Sequence, residues 1–173
     1  MLTRQFDGSA LDGEVAASIN KTCFEFEDVT FYDCRDISKS PAENDQNLAA
    51  FFSTLRSNSI KSFNALSARG VGPETLLALN NHSESLKVLK LDGLEPEAIE
   101  ALPYLQGCRT LEILHINDKQ GIINLDGVEE DSIQEVVSWL CGCHNLHELS
   151  LKNLANAPVI LERVCRELTS SPH

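Results

Sequence analysis

The chain has 173 residues, 42% hydrophobic and 23% charged, enough apolar side chain to bury the core of one domain. Its 26 Asp and Glu against 14 Lys and Arg give a net charge of −12 with no basic stripe. That excludes a nucleic-acid backbone as partner and suits either solubility alone or a basic protein partner.

No apolar run reaches the ~20 residues of a membrane span. The N-terminus lacks the charged-then-apolar pattern of a secretory leader, so the six cysteines read as reduced thiols in the cytoplasm or nucleus.

Within residues 1–22, Leu11, Val15 and Ile19 have helical spacing, predicting an N-terminal helix or partial unit that backs the first strand. A six-residue phrase, apolar at positions one, four and six, then recurs five times. Its members are Phe26, Val29 and Phe31; Ile60, Phe63 and Ala65; Leu86, Leu89 and Leu91; Leu111, Leu114 and Ile116; and Leu146, Leu149 and Leu151. The anchors at 26, 60, 86, 111 and 146 fall 34, 26, 25 and 35 residues apart. One such phrase would mean little; five predict five short strands. Three residues before each anchor stands a small residue: Cys23, Ser57, Ser83, Cys108 and Cys143. Cys165 and Leu168 begin the phrase again, and a tail over 169–173 follows.

Amphipathic helices fill the intervals. Leu48, Phe51, Phe52 and Leu55 form one stripe at helical spacing, and Ile133, Val136, Val137 and Leu140 another, opened by a capping box of Ser132 and Glu135. Pro73 suits the first turn of a helix bearing Leu76 and Leu77, and Pro158 opens a last helix with Ile160 and Val164. Between them Ile99, Leu102 and Leu105 mark a helix that Pro103 shortens or kinks. Two longer intervals predict insertions on one rim, over 36–46 and 117–128; the first, polar around Ser38 and Ser40, reads as mobile and open to phosphorylation.

Neither the strands nor the helices can bury an apolar side alone, and strand–helix–strand crossovers are right-handed. The fold class expected is therefore α/β: a right-handed solenoid of about five repeats over 23–168, with a parallel concave sheet and convex helices. All of 1–173 forms one domain.

These phrases resemble leucine-rich repeat proteins of the cysteine-containing, ribonuclease-inhibitor-like kind. The resemblance implies a non-catalytic protein-interaction module. Many cysteine-containing members are target-recognition parts of ubiquitin-ligase receptors, with an F-box ahead of the repeats; the stretch before Cys23 is too short for one. At the family's asparagine position stand Cys34, Ala68, Leu94, Lys119 and Leu154, and only Cys34 fits its pattern.

Strand alternation sends positions three, five and seven to the concave face. Reading down the phrases, Val88 and Ile113 become neighbours, as do Lys90 and His115, Asp92 and Asn117, and Tyr32 and Leu66. These eight residues are the expected protein-binding site, weighed against the plain reading that a few exposed apolar residues are ordinary. An alternative is a structural array, a monomer or weakly associated end to end through the unfinished sixth phrase.

Catalytic chemistry finds little support. Cys141, Cys143, His144 and His147 crowd four zinc-type ligands into seven positions, but Cys143 already has a place in the repeat. No phosphate loop, zinc-protease or nucleophile-elbow motif occurs. The run Glu129, Glu130 and Asp131 reads as favourable charge at a helix N-terminus. No enzyme, metal or cofactor is expected; a zinc-dependent or Cys–His enzyme is the remote alternative.

Overall fold

A computed structural model describes residues 3–6, 27–32, 36–94, 98, 101–117, 130–152 and 157–170. Six strands, β1 (Thr3–Phe6), β2 (Asp28–Phe31), β3 (Ser62–Ala65), β4 (Val88–Asp92), β5 (Ile113–Asn117) and β6 (Glu148–Lys152), form one sheet in chain order. Every neighbouring pair is parallel, and the register runs in phase. Val29, Phe63, Leu89, Leu114 and Leu149 form one row, and Phe31, Ala65, Leu91, Ile116 and Leu151 a second. This parallel α/β sheet is the class that the alternating phrases predict.

There is one strand more than the five phrases imply. In β1, Arg4 stands at the register position of Val29 and Phe6 at that of Phe31. A charged residue at one of the phrase's apolar positions hides the strand from a hydrophobic pattern. The expected helix through Leu11, Val15 and Ile19 lies outside the described residues, as do Cys23, Phe26, Cys34, Ile99, Glu129, Leu154 and the expected insertion over 118–128 with Lys119.

Backbone chemistry explains why the phrases keep step. The carbonyl at position two of one phrase accepts two N–H groups from the next. Glu27 O takes Lys61 N (2.7 Å) and Ser62 N (3.0 Å), and Lys61 O takes Lys87 N (2.8 Å) and Val88 N (3.0 Å). Lys87 O serves Glu112 N and Ile113 N, and Glu112 O serves His147 N and Glu148 N. The small-residue register has a related cause. The Cys143 thiol reaches the Cys108 carbonyl (3.6 Å), and the Cys108 thiol reaches the Leu79 carbonyl (3.7 Å). A larger side chain would push those turns apart, and a non-polar one would leave buried carbonyls without these donors.

The helices are α1 (Pro41–Thr54), α2 (Pro73–Ala78), α3 (Glu130–Gly142) and α4 (Ala157–Ser170), with 3₁₀ turns at Leu79–His82 and Leu102–Leu105. Pro103 accounts for the turn at Leu102–Leu105, since proline at a helix start fixes φ without a donor to lose. Inward strand residues from Val29 to Ile116 are at most 1% exposed. At the β2–β3 end the core is aromatic: Phe31 meets Phe51, Phe52 and Phe63 edge-on at 5.5, 6.4 and 5.8 Å. Such pairs add ~0.5–1.5 kcal/mol each beyond area burial.

Two sequence expectations need correction. The interval 36–46 is not a loop throughout, because α1 already begins at Pro41. Its polar residues serve as helix-end devices. Ser40 Oγ accepts from Glu43 N (3.2 Å) while Glu43 Oε2 accepts from Ser40 N (2.8 Å), a capping box. Asn44, buried, closes on Asp36 by accepting from its N–H (2.9 Å) and donating to its carbonyl (3.1 Å). Likewise, α3 starts at Glu130, so Ser132 lies within the helix rather than capping it.

Asp45 joins two units. Its Oδ1 accepts from Gly72 N and Thr75 N, and Oδ2 from Glu74 N, all at 2.9 Å. A side chain on α1 thereby supplies the cap that Gly72 cannot supply to α2. Thr75 Oγ1 returns a bond to the Asp45 carbonyl (3.1 Å).

Candidate functional site

The alternate strand residues, facing away from the core, are only partly buried: the pattern along β4 and β5 is partly exposed, buried, partly exposed, buried, partly exposed. Cross-strand register places Val88 beside Ile113, Lys90 beside His115, and Asp92 beside Asn117. Parallel strands lie ~4.8 Å apart, so each pair is in side-chain contact range. These six expected site residues form one patch.

Leu66, one step past Ala65, which pairs with Leu91, stands beside Asp92 at the edge of this patch, and only Tyr32 on β2 stands apart. Both lie just past the ends of β2 and β3, where Leu66 N still donates to Phe31 O at 2.9 Å and carries the register one step further. Tyr32 is 51% exposed, and about 14 Å of sheet, three strand spacings, separates its column from that of Asn117. Polar Ser62 and Asn64 occupy the intervening strand.

The patch has a polar frame that continues onto β6. His115 Nε2 meets Glu148 Oε1 at 2.7 Å, diagonally across the strands. Asn117 Nδ2 donates to Asp92 Oδ1 at 2.8 Å, and Ser150 Oγ donates to Asn117 Oδ1 at 3.3 Å. Ser150, the hydroxyl beside His115 in its row, is therefore engaged with Asn117 and not with the imidazole. The sequence paired Asp92 with Asn117 but not His115 with Glu148 or Ser150 with Asn117, because those two bonds run diagonally between positions three, five and seven.

Lys90, between Val88 and Asp92 on its strand, makes no ion pair or hydrogen bond among the described residues. The neighbouring lysines differ. Lys61 pairs with Glu27 (2.8 Å) and Lys87 with Glu112 (2.7 Å). Each of those carboxyls is held below the usual carboxylate range, first by the hydrogen bond from its lysine.

Charge on this face is mixed. Among the described strand positions of this face, Asp28, Asp92 and Glu148 stand with Lys90 and Lys152, so the acidic excess of the whole chain is not concentrated here.

Cys108 and Cys143 are buried, and burial pushes their thiols up to about 12 and about 11. Cys141 is also pushed up by burial and then by Glu167. Among the described residues no group of three or more His, Cys, Asp or Glu is placed to hold a metal ion. No helix among them is long and apolar enough to cross a membrane.

A second concavity, of about 670 Å³, lies on the helix side between the Leu102–Leu105 turn and α3, lined by Tyr104, Arg109, Glu135 and Trp139 among others. Its residues come from two distant stretches and carry no shared motif, which is why sequence reading passed over it.

No family model matches this chain, and no curated protein matches it in sequence.

Proposed function

We propose that the chain is a leucine-rich repeat solenoid of the cysteine-containing, ribonuclease-inhibitor-like kind, and that it works as a non-catalytic protein-binding module. The in-phase register of β2 to β6 supports the repeat reading, together with the carbonyls and thiols that recur at equivalent turns. The partner is received on the strand face, around Val88, Lys90, Asp92, Ile113, His115 and Asn117, with Leu66 at the edge and Tyr32 as an outlying contact.

One observation carries this reading. Two partly exposed β-branched side chains stand side by side, next to a lysine that has no partner among the described residues and inside a frame of satisfied polar groups. That is the composition of a small hot spot, an apolar anchor ringed by groups that already hold their own geometry. The partner this suits is a roughly neutral surface offering an apolar side chain and one carboxylate for Lys90.

The test is affinity capture from native lysate with the wild-type chain and with Val88→Asp/Ile113→Asp. Both positions sit outside the core, so the variant should melt like wild type. Loss of the captured partner supports the assignment, and undiminished capture removes it.

A further inference from the structure

Among the described residues, β6 is hydrogen-bonded to β5 on one side only. Proteins normally blunt such an edge with proline, a bulge or a charge pointing inward. Strand β6, Glu148-Leu-Ser-Leu-Lys152, has none of these at its centre. Its inward residues Leu149 and Leu151 remain partly exposed, whereas Leu114 and Ile116 of the preceding strand are 1% exposed. Next to it, α4 buries Ile160 and Val164 yet leaves Val159 and Leu161 41% and 38% exposed. Among the described residues, nothing covers these side chains beside β6.

The five residues are self-complementary when read in opposite directions. Antiparallel pairing about Ser150 sets Glu148 against Lys152 of the partner subunit, and Leu149 against Leu151 of the partner subunit. Each of these pairs occurs twice, and Ser150 faces Ser150 of the partner subunit on the axis. We propose that β6 is a homodimer interface: two copies join antiparallel through this strand across a two-fold axis perpendicular to the sheet. Such an axis keeps both helix layers on the same side, so the two α4 helices lie alongside each other and cover Val159 and Leu161. Glu148 keeps enough freedom for a second partner, since its side chain is 52% exposed while bonded to His115.

Head-to-tail stacking, the open array considered from the sequence, fits less well. Continuing the parallel register from β6 onto the β1 of a following copy would align Leu149 with Arg4 of the partner subunit, the position held elsewhere by Val29, Phe63, Leu89 and Leu114. That puts a charge in an apolar row. The antiparallel arrangement pairs leucine with leucine and opposite charges with each other, and it closes.

Sedimentation equilibrium on the full chain over a concentration series is the test. Wild type is expected to pass from the mass of one chain to that of two and go no higher. Lys152→Glu turns both ion pairs into repulsions and should raise the dimer dissociation constant about tenfold. Glu148→Lys combined with Lys152→Glu restores opposite charges only in the antiparallel register, so dimer formation should return. Circular dichroism checks that each variant is folded. Independently, Ser150→Cys places one thiol of each copy on the axis and should give a disulfide-linked dimer under mild oxidation. A wild type that stays monomeric, assemblies that keep growing, a double exchange that fails to rescue, or no cross-link at position 150 would each overturn the proposal.

Discussion

Replacing Asp45 probes the joint between successive units. Its carboxylate is 7% exposed and accepts three backbone N–H bonds of 2.9 Å at the start of α2. Losing an N-cap costs ~0.5–2 kcal/mol, and leaving a buried donor unsatisfied costs ~1–3 kcal/mol. Because the helix end can partly relax toward water, Asp45→Ala should cost about 3 kcal/mol in all. Asp45→Asn keeps one oxygen for Gly72 N and Thr75 N but turns an NH₂ toward Glu74 N, so about half that loss is expected. Gly72 adds a constraint. A Cβ there would stand 2.6 Å from Asp45 Oδ2, so Gly72→Ala must displace the carboxylate although the backbone itself is extended. Once Asp45 is shortened to alanine the obstacle is gone, and the two substitutions together should cost less than their sum. Urea unfolding followed by circular dichroism measures this. With a slope of ~2 kcal/mol per molar, Asp45→Ala should lower the midpoint by about 1.5 M. A loss below ~0.5 kcal/mol, or strict additivity with Gly72→Ala, would refute the cap and its steric coupling.

Two further outcomes follow from buried titratable groups. Cys108 and Cys143, held protonated by burial, should resist alkylation in the folded protein at neutral pH, whereas exposed Cys165 should react; mass spectrometry of labelled peptides decides it, and rapid labelling of Cys108 would contradict the turn packing. Burial also holds His82 below its ordinary value of 6.5, with its Nε2 3.3 Å from the Phe52 carbonyl and its Nδ1 without a partner among the described residues. The unfolded chain therefore takes up the proton first, so this group's share of stability is full above pH 6.5 and is lost as pH falls below it. Unfolding midpoints at pH 8 and pH 5.5 should differ more for wild type than for His82→Gln; equal differences would remove His82 as the cause.

The strand register was legible from the sequence because hydrophobic period and turn chemistry agree. Leu89, Leu91, Leu114 and Ile116 had to face one side, and the small residues at 108 and 143 fixed where each turn closes. What escaped reading was held by polar atoms. Asn44 and Asp45 look like loop residues until their partners, Asp36 and the start of α2, are brought near by the fold. Strand β1 escaped because Arg4 breaks the apolar phrase while the backbone keeps the register. At the candidate site the columns were readable, but the diagonal bonds from His115 to Glu148 and from Ser150 to Asn117 depend on rotamers that no periodicity encodes.

The account depends most on alternate residues of β4 and β5 facing opposite sides of one parallel sheet. Single cysteines at positions 88, 89, 113 and 114, in a Cys165→Ser background, test this by the rate of native-state labelling with a small maleimide. Val88→Cys and Ile113→Cys should label far faster than Leu89→Cys and Leu114→Cys, since Leu89 and Leu114 are at most 1% exposed. Equal rates, or protection at 88 and 113, would contradict the sheet and the binding face together.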